Sequence, residues 1–463
     1  MYKCQKGNFK LMKIIIVGCG KVGCALARQL SKEKHNITVI DTNYNLVQTV
    51  SNSYDVMGIA GNGASNAVLS EADIEHTDLF IAVTNSDELN LLCCVIAKKT
   101  GNCSTIARVR NPIYSKEMPF IRKELGLSMI INPELAAATE IARLLRFPTA
   151  IEIDTFAKGR VEMLRFKVPM HSQLHDMALK NIPSQLRSEV LVCAVEREGN
   201  IYIPSGNFVI KSGDILSIIA SPKNASDFFQ KINLETNQVK SAMIAGGSET
   251  SYYLARQLLN MGIEVKIIEI NPARCEELSE LLPDATILNG DASDEGLLLE
   301  EHIELSEAFV SLTDMDEENI ILSLYAKNKV KSKVVTKINH LNFDDVIHTL
   351  SLDSVIYPKH ITTEYIIQYV RAKKNSIGSN IETLYKLMDD RVEALEFAIN
   401  DSTRIAGIPL YKLNLKPDLL IGCINRSGKI IIPGGQDMFQ SGDTVIVVTT
   451  NTGLQDVHDI LRD

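Results

Sequence analysis

At 463 residues, 45% hydrophobic and 23% charged, the chain has an ordinary globular composition and length for three domains or four smaller ones. Its formal net charge of −9 argues against nucleic acid as a partner, which calls for a concentrated basic surface. No run approaches the roughly 18–20 apolar residues that span a bilayer, so a soluble, intracellular chain is expected, reaching any membrane through a partner.

The apolar stretch Ile14-Ile-Ile-Val17 is too short for a signal peptide and runs straight into a glycine turn. Met12 offers an alternative start, with residues 1–11 expected as a disordered leader. From there apolar blocks alternate. Lys13–Val17 predicts a strand, Gly18-Cys19-Gly20-Lys21-Val22-Gly23 a turn, and 22–33 a helix. Strand 37–40, helix 44–51, strand 55–60, helix 64–71, strand 79–83, helix 87–99, strand 104–109 and a βα pair near 129–146 follow. Ser86-Asp87-Glu88 suits a helix cap and Pro133 a first helical turn. The helix after Pro133 is apolar on more than one side, as befits a core helix or one that links lobes or subunits. Such regular βα alternation implies an α/β fold with a doubly wound parallel sheet, its ligand crevice at the carboxyl ends of the strands.

Beyond Phe147-Pro148 short β-branched runs around turns take over, including the Lys158-Gly159 turn and Lys211-Ser-Gly-Asp214 before Ile215-Leu-Ser-Ile-Ile219. Then the chain repeats itself. Leu-Ala-Arg-Gln-Leu at 26–30 returns at 254–258, and Asp41 is answered by Glu269, both offsets being 228 (254 − 26 and 269 − 41). Thr84 in Val83-Thr-Asn-Ser-Asp-Glu-Leu-Asn90 is answered by Thr313, and Lys211-Ser-Gly-Asp214 by Gln440-Ser-Gly-Asp443, both 229 away (313 − 84 and 443 − 214). Two Rossmann-like units are therefore expected, each followed by a small α+β lobe: 12–146, 147–232, 239–372 and 376–463, with polar joins at Lys231–Val239 and Lys373–Ser379.

In the first unit the glycines have distinct tasks. Gly18 allows the tight turn, Gly20 lets a pyrophosphate approach the backbone, and Gly23 lets the helix pack on the sheet. Free N–H groups at the helix start favour phosphate, with the Cys19 and Val22 backbone in the same loop. Asp41 stands 21 positions after the middle glycine (41 − 20) and would accept from the adenosine ribose hydroxyls, favouring NAD over NADP. Asn62-Gly63, Thr84-Asn85, and Arg108 with Arg110 lie where strand ends converge on the crevice. The two arginines would jointly reach a phosphate or a subunit carboxylate; the alternative is a salt-bridged surface pair. Lys21 either adds charge near the pyrophosphate or faces solvent.

The second unit breaks the glycine rule. Ser248 and Ser251 replace Gly20 and Gly23, and Glu249 replaces Lys21, while Glu269 and Gly290-Asp291 keep the ribose side. A weakly held smaller adenosine ligand, or none, is expected there. The nine scattered cysteines, with no CxxC pair, read as reduced thiols in cores, Cys93-Cys94 among them. His171 and His175 have metal-pair spacing without a third ligand, so no metal is expected.

The glycine turn, Asp41, Gly61-Asn-Gly-Ala-Ser65, Val83-Thr-Asn85, Ile106-Ala-Arg-Val-Arg-Asn111 and the β-rich lobe with Lys-Ser-Gly-Asp resemble the RCK (regulator of potassium conductance) module. Two modules in tandem resemble the Trk-type potassium uptake regulators of the TrkA family. The resemblance implies a cytoplasmic homo-oligomer, dimer or tetramer, forming a ring of RCK modules. It implies a peripheral place at the inner face of the membrane beneath a potassium-transporting subunit of TrkH/TrkG type, gated by NAD(H) and/or ATP/ADP. Carried over by position, Gly18 to Val22, Asp41, Thr84, Asn85, Arg108 and Arg110 would hold the first nucleotide, with Glu269 as the surviving counterpart. Two alternatives stand beside this: a regulator of another channel or antiporter, and an NAD-dependent oxidoreductase. An enzyme would need an acid/base residue at the nicotinamide end. His76, His302 and His340 are scattered without a recognisable partner, so no enzymatic activity is expected.

Overall fold

The computed structural model describes residues 11–115, 117–156, 161–234, 239–330, 333–339, 347, 349–375, 381–388, 391–401, 403–451, 454 and 456–462. The leader residues 1–10, the Lys158-Gly159 turn, His340 and the joins over 235–238 and 376–379 lie outside the described residues.

The first sheet is built from β1 (Lys13–Val17), β2 (Asn36–Asp41), β3 (Met57–Ala60), β4 (Leu79–Ala82), β5 (Ser104–Arg108) and β6 (Met129–Ile131). Its order is β3-β2-β1-β4-β5-β6 with parallel pairing throughout, so the chain reverses direction of growth between β1 and β4. That is the doubly wound arrangement, whose crevice lies outside the strand ends at the reversal. The central strands β1, β4 and β5 are buried on both faces, and all four residues of β4 are buried, which is why they read as continuous apolar runs. Helices α1 (Lys21–Lys32), α2 (Tyr44–Tyr54), α3 (Asn66–Glu71), α4 (Asp87–Gly101), α5 (Pro112–Ser115), α6 (Met118–Glu124) and α7 (Pro133–Arg146) make the connections. Ser86 caps α4 through Leu89 N–H at 3.1 Å, and Pro133 occupies the first turn of α7. The third strand starts two residues later than expected, because Asp55 takes a left-handed conformation (φ 52°) as the cap of α2. Similarly α3 waits until Asn66, since Asn62 Oδ1 accepts the Ala64 N–H and holds a turn over 62–65.

A small antiparallel lobe follows: β7 (Glu152–Phe156), β8 (Val161–Lys167), α8 (Ile182–Leu186), β9 (Leu191–Arg197), β10 (Asn200–Tyr202), β11 (Ile215–Ala220) and α9 (Pro222–Lys231), with sheet order β10-β9-β11-β8-β7. The second parallel sheet, β14-β13-β12-β15-β16-β17, comprises β12 (Ser241–Ala245), β13 (Glu264–Glu269), β14 (Thr286–Asn289), β15 (Ala308–Ser311), β16 (Lys333–Lys337) and β17 (Ser354–Ile356). Its helices are α10 (Glu249–Asn260), α11 (Pro272–Leu281), α12 (Glu295–Glu300), α13 (Asp316–Ala326) and the long α14 (Pro358–Asn375). The last lobe, β18 (Ile381–Leu387), β19 (Val392–Ala398), β20 (Leu419–Arg426), β21 (Lys429–Ile431) and β22 (Thr444–Thr449), repeats the first lobe's strand order. The Lys-Ser-Gly-Asp motif is a structural clamp: Asp214 accepts from Lys211 N–H (2.8 Å) and from Arg197 Nε and Nη2 (2.7 Å each), and Asp443 repeats this with Gln440 and Arg426.

The halves are interlocked. Helix α7 ends the first parallel sheet but buries Ala137, Ala138, Ile141 and Leu145 in one core with Tyr253, Leu254 and Leu258 of α10. Reciprocally, Ile366, Ile367 and Val370 of α14 share a core with Leu26, Ala27 and Leu30 of α1, the burial of each Val, Leu or Ile being worth about 1.5–3 kcal/mol. The apolar breadth of α7 therefore serves a link between units rather than one unit's core. The two lobes pack face to face as well: Phe156, Met163, Cys193 and Ile219 form one cluster with Val392, Cys423, Ile446 and Val448, and Tyr385 Oη donates to Thr155 O at 2.7 Å.

Candidate functional site

The glycine loop leaves β1 through Gly18, whose φ of +103° is a left-handed-side conformation a side chain would strain. A Cβ at Gly23 would stand 1.8 Å from Gly18 O, so only glycine lets α1 start this close to the strand end. At Gly20, by contrast, a Cβ would meet nothing within 4 Å: the loop opens there onto free space. Gly20 is also the N-cap of α1 and supplies no side-chain cap. The first N–H groups of α1 thus retain capacity for an external anion, as a helix start with no side-chain acceptor does.

Asp41 departs from a purely ligand-facing role. Its Oδ2 accepts Cys19 N–H at 2.7 Å and its Oδ1 accepts Asn43 N–H at 2.8 Å, so the carboxylate already clamps the loop to the end of β2 and has only its remaining lone pairs for ribose hydroxyls. The buried Cys19 thiol is pushed up to about 12 by burial and then by Asp41. Asn62 spends its side-chain oxygen on its own turn.

Across the crevice, Asn90 organises what the sequence left unassigned. Fully buried on α4, it accepts from Thr84 N–H and Oγ1–H (2.7 Å each) and donates to Thr84 O and Arg108 O. The Arg108 guanidinium donates to Thr84 O, and Arg110 donates to Asn85 O at 2.7 Å. Asp87 receives the N–H groups of Arg110 and Asn111 at 2.8 and 2.9 Å. The two arginines divide: the part-exposed Arg110 guanidinium pairs with Asp87 at 3.8 Å, whereas Arg108 is 9% exposed, and burial followed by the neighbouring Arg110 charge lowers its pKa. Its Nε is buried with no hydrogen-bond partner among the described residues, an unspent donor beside Thr84 and Asn85. Lys21 is exposed.

In the second unit the same scaffold is closed upon itself. Gly247 N–H and Asn271 N–H donate to the two oxygens of Glu269 at 2.6 and 2.7 Å, reproducing the Asp41 clamp, and Asn319 reproduces Asn90 between Thr313 and Lys337 O. Yet Ser248 caps α10 by accepting Ser251 N–H, and Ser251 Oγ donates to Gly246 O at 2.6 Å. Arg274 Nε donates to Gly247 O at 2.7 Å and its guanidinium pairs with Glu249 at 3.4 Å. A cleft of about 430 Å³ remains, lined by Glu134, Glu249, Arg274, Asp314 and Lys337 among others. Burial raises the pKa of both Glu134 and Glu249. Lys337, standing where Arg108 stands, is lowered by burial and pulled back up by Asp314.

The phosphates of a nucleotide fit the first crevice on these grounds: an uncapped helix start, a glycine opening on free space and an unspent arginine donor. Gly18 to Gly23, Asp41, Thr84-Asn85, Arg108 and Arg110 are brought to one edge of the sheet, and Asn62 sits at the same strand ends. Glu269 lies apart, in the other unit. Sequence reasoning missed Asn90 and Asp87, although both fall inside the repeated segment 83–90 and 312–319, and it missed Glu134, whose signal was only its place in the first turn of a helix.

Models of the TrkA-N domain match residues 14–133 and 242–358, and models of the TrkA-C domain match 163–233 and 394–462. The chain is 32% identical over 459 residues to Trk system potassium uptake protein TrkA homolog 1 of Methanosarcina mazei, covering 97% of this chain and 100% of that one. It is 30% identical over 440 residues to Trk system potassium uptake protein TrkA of Haemophilus influenzae, covering 94% and 95%. Among solved structures, the GsuK channel bound to NAD has a TM-score of 0.63 at 15% identity, covering 96% of this chain and 77% of that one, and the GsuK RCK domain has 0.62 at 15%, covering 95% and 93%. Those likenesses are of fold. Both domain models match twice, in the order of the two halves, and the relatives are matched along nearly their whole length: the chain belongs to the TrkA family of Trk-system potassium uptake proteins.

Proposed function

We propose that this chain is a regulatory subunit that gates a membrane potassium-transporting subunit of TrkH/TrkG type according to the adenine nucleotide, NAD(H) or ATP/ADP, held in its first Rossmann unit, and that it is not an enzyme. The observation that carries the reading is the contrast between the two glycine loops. One helix start is left without a side-chain cap, beside Gly20, and the other is capped by Ser248. The loop Gly18–Gly23 would hold phosphates, the remaining acceptor capacity of Asp41 the ribose, and Thr84, Asn85, Arg108 and Arg110 the far side of the ligand, with units taken as 12–146, 147–232, 239–372 and 376–463.

Among the described residues no helix is long and apolar enough to cross a membrane, which is consistent with a peripheral subunit acting through its partner. Exposed apolar side chains favour a homo-oligomer: Leu92 (51% exposed), Ile113 (76%) and Phe120 (62%) lie on α4 to α6, and Ile321 (68%) repeats Leu92 on α13. A nucleotide can shift such an assembly only by its differential affinity for two states, and a coupling of about 1–3 kcal/mol corresponds to roughly 5- to 150-fold. The test is potassium flux through the reconstituted transporter with and without this protein, in NAD, NADH, ATP and ADP. Flux indifferent to the protein under every nucleotide would refute the reading, and consumption of NADH with a metabolite would favour the oxidoreductase instead.

A further inference from the structure

The two linking helices carry opposite charges to the two glycine loops. Asn132-Pro133-Glu134 opens α7 as Tyr357-Pro358-Lys359 opens α14, each proline in the first helical turn. Helices α14 and α1 pack on one another in the same direction. Arg371 pairs with Glu33, the residue that ends α1, and Ile366, Ile367 and Val370 sit against Leu26, Ala27 and Leu30. Counting twelve residues back along both helices, 371 − 12 = 359 and 33 − 12 = 21, so the same rise of 1.5 Å per residue carries Lys359 toward the uncapped start of α1, where Lys21 stands. The electrostatics agree: burial lowers the pKa of the Lys21 ammonium, Asp316 pulls it up and Lys359 pushes it further down.

The other pair of helices is arranged alike. Asn132 Nδ2 donates to Tyr253 Oη at 3.0 Å and Gln257 Nε2 to Thr139 Oγ1 at 3.3 Å, which sets α7 parallel to α10, with the start of α7 about one turn along α10. There the corresponding residues are Glu134 and Glu249, both lining the second cleft, each with an Oε2 that is buried and makes no hydrogen bond among the described residues. Two lysines thus stand at the open loop, with Asp316 of the second unit near them, and two carboxylates stand at the capped one, facing Arg274 and Lys337 across the cleft. Two independent sign reversals, on separate helices, follow the same division as the glycine-to-serine changes.

We propose that Lys359, carried by the second Rossmann unit, is a phosphate-binding residue of the nucleotide site in the first, and that Glu134 at the matching position makes the second cleft exclude the same ligand. This rests on the reading of the first crevice as a nucleotide site. A nucleotide there bridges the two Rossmann units, because its glycine loop and its outer phosphate charge are read by residues from different halves of the chain. Lys359 stands one helix away from the glycine loop, so it engages phosphates beyond the first rather than adenosine. Ligands with more phosphates therefore pull the start of α14 toward α1, and those with one phosphate do not.

The experiment is calorimetric titration of the full chain, wild type, Lys359→Ala, Lys359→Arg and Asp41→Ala, with AMP, ADP and ATP. A charge-assisted contact to phosphate predicts that Lys359→Ala weakens ADP and ATP about tenfold or more, leaves AMP within about twofold, and is largely restored by Lys359→Arg, whereas Asp41→Ala weakens all three. If Lys359→Ala binds ADP and ATP like wild type while Asp41→Ala does not, the role of Lys359 is refuted and the nucleotide site stands. Equal losses for AMP and ATP in Lys359→Ala would mark a residue that only holds its helix, and would also overturn the proposal. A wild-type chain that binds none of the three would instead remove the nucleotide reading itself, and this inference with it.

Discussion

The Asp41 clamp can be separated from the Asp41 ligand contact because the chain carries a control in its own second half. Asp41 and Glu269 each accept two backbone N–H groups at 2.6–2.8 Å, one from the glycine loop and one two residues downstream. A hydrogen bond to a charged group is worth about 1.5–3 kcal/mol. The downstream bond in each case is exposed and water replaces it, so truncation loses chiefly the loop bond and leaves a part-buried N–H unsatisfied. Asp41→Ala and Glu269→Ala should therefore each destabilise their unit by about 2–4 kcal/mol. Only Asp41→Ala should also cost nucleotide affinity. Since the chain has no tryptophan, urea unfolding followed by far-ultraviolet circular dichroism is the stability assay, read as a shift in midpoint of the affected transition, with calorimetry for the nucleotide. A Glu269→Ala chain that loses nucleotide as completely as Asp41→Ala would refute the assignment of the site to the first unit. An Asp41→Ala chain with an unchanged midpoint would refute the clamp.

Two further outcomes follow from the interlocked helices. Residues 1–234 expressed alone expose the apolar faces of α1 and α7, and because α1 and α10 are repeats the fragment should pair with a second copy, α7 of each on α1 of the other; sedimentation would show a dimer, and a well-folded monomer would contradict the packing. Glu140 on α7 is pushed up to about 7, by burial first and then by Glu152, with Arg143 opposing. Its pKa is raised on folding, so the native state holds the proton longer than the unfolded chain: stability is greatest below the ordinary glutamate range and is lost as pH rises through about 7. The loss is at most about 3 kcal/mol. Glu140→Gln should flatten the fall in urea midpoint between about pH 5 and pH 7.5, and an identical pH dependence in the variant would dismiss this carboxylate as its source.

Much of the fold could be read because its signals are local. Buried parallel strands announce themselves as short apolar runs, the glycine spacing marks the turn from β1 to α1, and a repeat offset shared by Leu-Ala-Arg-Gln-Leu and the acidic strand end aligns two units without any contact being known. What stayed hidden was nonlocal. The apolar breadth of α7 suited a core helix and a linking helix equally, and only the placement of Tyr253 against Asn132 and Arg110 O decides for the link. The pairing of Arg108 and Arg110 with loop carbonyls was illegible for a related reason: strand alternation says which face a side chain takes, but not that Thr84 O and Asn85 O wait there.

The serines of the second loop show how the structure can give an expectation a different cause from the one the sequence suggests. Read from the sequence, Ser248 obstructs a pyrophosphate by bulk and Glu249 repels it. In the structure the stronger effect is substitution rather than obstruction. Ser248 accepts the N–H of Ser251, which a phosphate oxygen would otherwise take, and Ser251 donates to Gly246 O, the counterpart of the carbonyl that a side chain at Gly23 would strike. Arg274 occupies the next carbonyl and neutralises Glu249. The unsatisfied groups of a helix start must find partners somewhere. Where the chain supplies them itself, the loop keeps its shape without a ligand; where it leaves them out, as at Gly20, the loop keeps its capacity for one. Under the proposed function, duplication followed by such self-capping would leave one of two repeated loops as a fixed bearing, against which the other registers what it binds.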